Sequence, residues 1–171
     1  MQFTQKIEKK EQSIGAKVVS QGSIQVLQAH TYIFYFVAFL LGLFFDFIFS
    51  FKLLKQSITV PIGGMLIVLA SFLILWAQNT SLVLKKKNLA KEALSKKTFC
   101  HGPYCYIRNP THLGISILIL GFGFLINATF VILFTVISFI ATRFIFLRKE
   151  ELMFAEKYGN PYLEYKKSVK F

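Results

Sequence analysis

Four apolar runs separated by short polar stretches organise the chain. Ala29 to Phe51 is the first. At about 1.5 Å per residue it is long enough to cross a hydrocarbon core of about 30 Å. Ile58 to Gln78 is the second, with Pro61 expected in its first turn, where a missing N–H is tolerated. Gly63 and Gly64 are expected to admit a neighbouring helix at close range. Pro110 to Ile126 is a third, shorter span. Asn109-Pro110 supplies its start signal, Asn as N-cap and Pro at the first helical position. Asn127 marks a tight turn, and Ala128 to about Phe154 reads as a fourth helix that outlasts the membrane and becomes charged at Arg143, Arg148, Lys149, Glu150 and Glu151. The pattern predicts an all-α integral membrane protein with about four transmembrane helices, the last two forming a helical hairpin, plus cytoplasmic connecting and C-terminal helical segments.

The polar stretches are less uniform. Met1 to Gln28 places Ile7, Ile14 and Val18 near one face of a helix and Lys6, Lys9, Lys10 and Lys17 elsewhere. That pattern suits a surface-lying amphipathic helix or a loosely ordered tail. Asp46, about one turn from the end of the first run, is either an interfacial anchor near Lys52 and Lys55 or a functional intramembrane carboxylate. Asn79 to Phe99 is basic, with Lys85, Lys86, Lys87, Lys91, Lys96 and Lys97. Leu82, Leu89 and Ala93 suit lipid contact there, the lysines snorkelling outward. The tail from Lys157 to Phe171 is aromatic and charged, with turn chemistry at Gly159-Asn160-Pro161.

Composition narrows the class. Hydrophobic residues make up 54% of 171 residues and charged residues only 16%, which is too apolar for a soluble domain of this length. The chain is read as one domain over 1–171. The net charge of +12 lies in segments flanking the apolar runs. It therefore points to anionic lipid headgroups, and no nucleic-acid partner is expected. No cleavable signal peptide is evident, and the first run is read as a retained span. Basic residues cluster between Asn79 and His112, only Lys52 and Lys55 lie between the first two runs, and none lies at Asn127. This asymmetry predicts a multi-pass protein with N and C termini cytoplasmic. On that side the only two cysteines, Cys100 and Cys105, are expected as reduced thiols.

Chemistry-bearing residues concentrate from Cys100 to Gly114, a polar, aromatic, Gly/Pro-punctuated stretch between apolar runs. In a hairpin turning at Asn127, Pro110 comes level with about Phe144 and Tyr104 with about Glu150. The stretch and the Glu150-Glu151 pair then meet at one membrane depth. The groups on offer are Tyr104, Tyr106, Arg108 and a helix start whose free N–H groups attract a carboxylate. Opposite them stand two carboxylates able to accept from hydroxyls or an ammonium. A zwitterionic, part-aromatic ligand fits. No P-loop and no Gly-x-Gly-x-x-Gly after a strand is present. A metal site from Cys100, His101, Cys105 and His112 matches no familiar zinc spacing, and none is expected.

Together, Gly102-Pro103-Tyr104-Cys105-Tyr106-Ile107-Arg108-Asn109-Pro110-Thr111-His112-Leu113-Gly114, then Glu150-Glu151, then Tyr158-Gly159-Asn160-Pro161-Tyr162-Leu163-Glu164-Tyr165 resemble the isoprenylcysteine carboxyl methyltransferase family and its phospholipid methyltransferase relatives. The similarity runs from Lys96 onward, making 96–171 the cofactor-binding half and 1–28 a polar N-terminal segment. The resemblance implies a membrane methyltransferase using S-adenosylmethionine on a lipid-like or prenylated acceptor at the cytoplasmic membrane face. It implies cofactor contacts at Tyr104, Asn109, Pro110, Thr111, His112 and Glu150. Arg108 is assigned to orienting an acidic headgroup or bracing the loop, and Glu151 and His112 are candidate bases for an amine acceptor.

The chain departs from the family pattern at three places. Asn109 replaces the commoner His, as in the lipid-methylating and bacterial branches, and His112 stands where Tyr is usual. Phe146 occupies the position of the Arg that binds prenylcysteine carboxylate, which argues against that acceptor. Two other classes stay open: a non-catalytic membrane subunit retaining the fold, and a nicotinamide-dependent membrane reductase. The sequence leaves the oligomeric state open.

Overall fold

The computed structural model describes residues 2–49, 51–52, 55–88 and 99–169, with side chains from Val26 onward except 83–88. The described residues form helices and turns without strands. They are α1 (Gln2–Phe49), α2 (Gln56–Asn88), a 3-10 turn (Gly102–Cys105), α3 (Pro110–Leu125), α4 (Thr129–Tyr158) and α5 (Asn160–Ser168). Val26–Phe49, Gln56–Leu82 and Thr129–Tyr158 are long and apolar enough to cross a membrane, and α3 is a shorter apolar helix. Its 16 residues span about 24 Å, less than a full hydrocarbon core. Phe36, Leu40 and Phe44 of α1 and Val68, Phe72 and Leu75 of α2 point outward, as lipid-facing residues do.

The N-terminal stretch is neither a tail nor a separate surface helix, because α1 runs without a break from Gln2 into the span. The side chains expected to form its amphipathic face (Ile7, Ile14, Val18 and the lysines) lie outside the described residues, as do Leu89 and Ala93. Leu82 is exposed, as lipid contact requires. Pro61 lies deeper than the first turn, since α2 begins at Gln56. Asn109 is the residue before α3, but its side chain makes no capping bond. Its carbonyl instead accepts from the Leu113 amide at 3.3 Å.

The last two long elements form the expected antiparallel hairpin. Asn127 closes it with φ 54°, a left-handed conformation that Asn tolerates better than most residues. The Ala128 amide donates to the Gly123 carbonyl at 2.8 Å and the Asn127 amide to Phe124 at 3.1 Å, a Schellman-type helix end. Within the bundle, however, α3 packs most extensively on α2, and α4 on α1. Glycines set the first contact: a Cβ at Gly63 would lie 2.7 Å from the Gly121 carbonyl oxygen and 2.5 Å from the Leu125 amide nitrogen. Gly64, expected to share this role, has open space beside it.

The α1–α4 pair is held by a stripe of small and polar residues. Thr31, Tyr35, Ala38 and Gly42 of α1 are buried, as are Val131, Thr135, Ser138 and Thr142 of α4. Thr31 and Thr135 satisfy their hydroxyls on their own helix, at Leu27 (3.0 Å) and Val131 (2.6 Å). These two polar side chains therefore line a lipid-embedded interface with their donors met. At one end of the stripe the Val131 amide donates to Asp46 Oδ2 at 3.0 Å. Ala128, the residue before α4, offers no side-chain cap, so Asp46 caps the helix from across the interface.

Candidate active site

The opposite end of the bundle holds the chemistry. Gly102 opens the 3-10 turn at φ 53°, and a Cβ there would lie 2.6 Å from Thr80 Oγ1. Only glycine fits this close approach to α2. The expectation of two free thiols is corrected here. The turn folds the chain back over Gly102-Pro103, brings the two Cα atoms to 4.4 Å and joins Cys100 to Cys105 in a disulfide. Neither sulfur is then a thiolate available to a metal.

Within the turn Pro103 is fully buried and Tyr104 half-buried, and beyond it Pro110 is fully buried. Burial raises the pKa of the Tyr104 phenol, hydrogen bonds to Thr111 and Ser81 pull it back, and the nearby Glu150 pushes it up. α5 is laid across the turn by the Tyr165 hydroxyl, which donates to the Tyr104 carbonyl at 2.6 Å. Burial pushes the Tyr165 phenol up to about 12. Phe99 packs against Tyr158, Tyr162 and Tyr165 beneath this contact. Gly159, at φ 65°, turns the chain from α4 into α5, as the Gly-Asn-Pro signal predicts.

Glu150 and Glu151 are both buried. Glu150 Oε1 accepts from the Gln28 side-chain amide at 2.7 Å, and Glu150 Oε2 lies 3.6 Å from His112 Nε2. The His112 ring also meets Tyr32 at 5.6 Å between centroids, while its Nδ1 is buried with no hydrogen-bond partner among the described residues. Glu151 turns the other way. Its two oxygens pair with Arg108 Nη1 at 3.0 Å and Lys166 Nζ at 2.9 Å. A groove of about 620 Å³ lined by Arg108, Asn160, Leu163, Glu164, Lys166 and Lys167 opens beyond this cluster. It does not include Tyr104, His112 or Glu150.

The predicted residues thus fall into two groups. Tyr104, Thr111, His112 and Glu150 face one another, with Asn109 and Pro110 at the entry to the helix that carries His112. Arg108 and Glu151 are engaged with each other, one helical step away. His112, rather than Tyr104, stands directly across from Glu150. Sequence reasoning missed Gln28, Tyr32, Tyr165 and Lys166. For Gln28 a signal existed: Gln28, Thr31, Tyr35, Ala38, Gly42 and Asp46 follow a three-to-four residue spacing through an otherwise bulky apolar helix.

Fold and site define a multi-span helical membrane protein with a buried carboxylate–imidazole pair where its spans emerge on one face. A family model described as phospholipid methyltransferase matches residues 58–161, well over half of the chain, and the chain belongs to that family. It is thus a membrane protein of methyltransferase type, and its family's acceptors are lipids. The matched residues include Tyr104, Arg108, Asn109 through His112, Glu150 and Glu151. No curated protein and no solved structure matches the chain.

Proposed function

We propose that the protein transfers a methyl group from S-adenosylmethionine to a lipid-like acceptor, with the site on the cytoplasmic face. The observation that carries this is the meeting of Glu150, His112 and Tyr104 in one buried cluster inside the family-matched stretch. The donor set fits the cofactor's chemistry. A buried carboxyl group held by a neutral amide suits an ammonium, a sulfonium or ribose hydroxyls. The lysine-rich end of α2 supports the cytoplasmic orientation.

In this reading Tyr104, Asn109, Pro110, Thr111, His112 and Glu150 hold the cofactor, whose sulfonium supplies an electrophilic methyl group. Methyl displacement depends on alignment and on exclusion of water, and the buried turn and α3 entry provide both. Arg108 braces the loop through Glu151. With Glu151 held by two cations, His112 Nδ1 is the better-placed proton acceptor for an amine or hydroxyl nucleophile. Phe146 packs against Phe34, an apolar neighbourhood that suits a lipid acceptor better than a prenylcysteine carboxylate.

Binding of labelled S-adenosylmethionine to the purified protein in detergent tests the proposal. Saturable binding that Glu150→Gln weakens by about tenfold or more is expected, the loss of one charge-assisted contact. Absence of binding, or a Glu150→Gln variant that binds as tightly as the parent, overturns it. A lipid-extract methylation screen then identifies the acceptor.

A further inference from the structure

α1 lies wholly outside the family-matched residues, which begin at 58. Its side chains nevertheless reach the centre of the site. Gln28 Nε2 donates to Glu150 Oε1 across 122 residues of sequence, and one turn further on Tyr32 meets the His112 ring. Each residue of the carboxylate–imidazole pair therefore has one neighbour from α3 or α4 and one from α1.

We infer that Gln28 is a positioning residue that fixes the Glu150 carboxylate while leaving its charge uncompensated, and that α1 is thereby a wall of the ligand site. The amide is the part of the structure suited to this. A lysine or arginine at position 28 would hold Glu150 as well but would cancel its charge. The contrast is next door, where Glu151 is held by Arg108 and Lys166. Among the described residues, the other polar groups around Glu150 include Tyr32 from α1, Tyr104 from the turn, His112 from α3 and Tyr162 from α5. Of these only His112 can supply a positive charge, and only when protonated. Among the described residues Glu150 is thus the buried carboxylate whose hydrogen-bond donor is a neutral amide, and its ligand carries the positive charge. This inference rests on the reading of Glu150 as the cofactor-side carboxylate.

Two variants of the full chain, purified in detergent, test it. Gln28→Lys keeps a donor on Glu150 but neutralises it. A residue that merely tied α1 to α4 would tolerate this change. The expected result is a melting temperature no lower than the parent's, with binding of labelled S-adenosylmethionine weakened by about tenfold or more. Gln28→Leu removes the donor. Modification of Glu150 by a water-soluble carbodiimide and an amine, read by peptide mass spectrometry without any ligand, should then rise severalfold. Modification of the exposed Glu156 and Glu164 should stay unchanged. Parental binding affinity in Gln28→Lys, or parental Glu150 modification in Gln28→Leu, overturns the inference. If the parent itself binds no S-adenosylmethionine, the functional reading falls, and the carbodiimide comparison still decides whether Gln28 holds Glu150.

Discussion

Glu150 and Glu151 are adjacent and both buried, yet they turn to different partners: Glu150 faces a glutamine amide and a histidine, Glu151 an arginine and a lysine. The helix projects the two carboxylates about 100° apart, one into the bundle and one toward α5. Their substitution should therefore have opposite signatures. Glu151→Gln leaves Arg108 without its carboxylate and should lower stability by roughly 3 kcal/mol, read as a fall in melting temperature. Glu150→Gln removes a buried charge whose fixed partner is neutral. Stability should stay within about 1 kcal/mol of the parent while cofactor binding collapses.

The tie between α5 and the turn is sensitive to alkali. Burial raises the pKa of Tyr104, Tyr162 and Tyr165, the last to about 12, from the usual 10.0. Well below pH 10 these phenols are protonated in both folded and unfolded chains and stability does not depend on them. Between pH 10 and 12 the unfolded chain releases protons that the folded chain retains, so stability falls as pH rises. Tyr165→Phe should flatten part of that fall in a pH series of melting temperatures. At neutral pH it should lose about 1 kcal/mol with the hydrogen bond to Tyr104.

Adjacent glycines in α2 offer a matched pair. Gly63→Ala drives a Cβ into the backbone of α3 and should destabilise the protein by about 1–3 kcal/mol. Gly64→Ala meets open space and should be neutral or raise stability by about 0.5–1 kcal/mol through helix propensity. Parallel denaturation curves in one detergent decide both.

Asp46→Ala should lower stability by about 1 kcal/mol, the usual effect of removing a helix N-cap, although the capping residue belongs to another helix. Cofactor affinity should be unchanged, since Asp46 lies at the far end of the bundle.

Much of this architecture was legible before any coordinates. Unbroken apolar runs give away membrane helices, and Asn127 and Gly159-Asn160-Pro161 announce their turns. That Tyr104 and Glu150 converge followed from the hairpin alone, whereas the place of His112 directly across from Glu150 did not. What the runs hide is which helix packs on which, because leucine and phenylalanine serve a lipid-facing surface as well as a protein-facing one. The pairing of α1 with α4 is written instead in small and polar positions such as Thr31, Gly42 and Thr135. The cysteine pair was misjudged because compartment was weighed and the fold of the Gly102-Pro103 turn was not. Asn109 was misjudged as a side-chain cap because residue type indicates a helix boundary without fixing the rotamer.

Gln28 and Asp46 lie eighteen residues apart on one helix, about five whole turns or 27 Å, and each grips the same partner helix. α1 is therefore a ruler. Adding or deleting a single residue between the two grips would rotate one of them off α4 by about 100°. The distance from the site to the opposite surface is thus set by the length of one segment of sequence. A thicker or thinner bilayer can tilt the bundle, but it cannot slide one grip against the other.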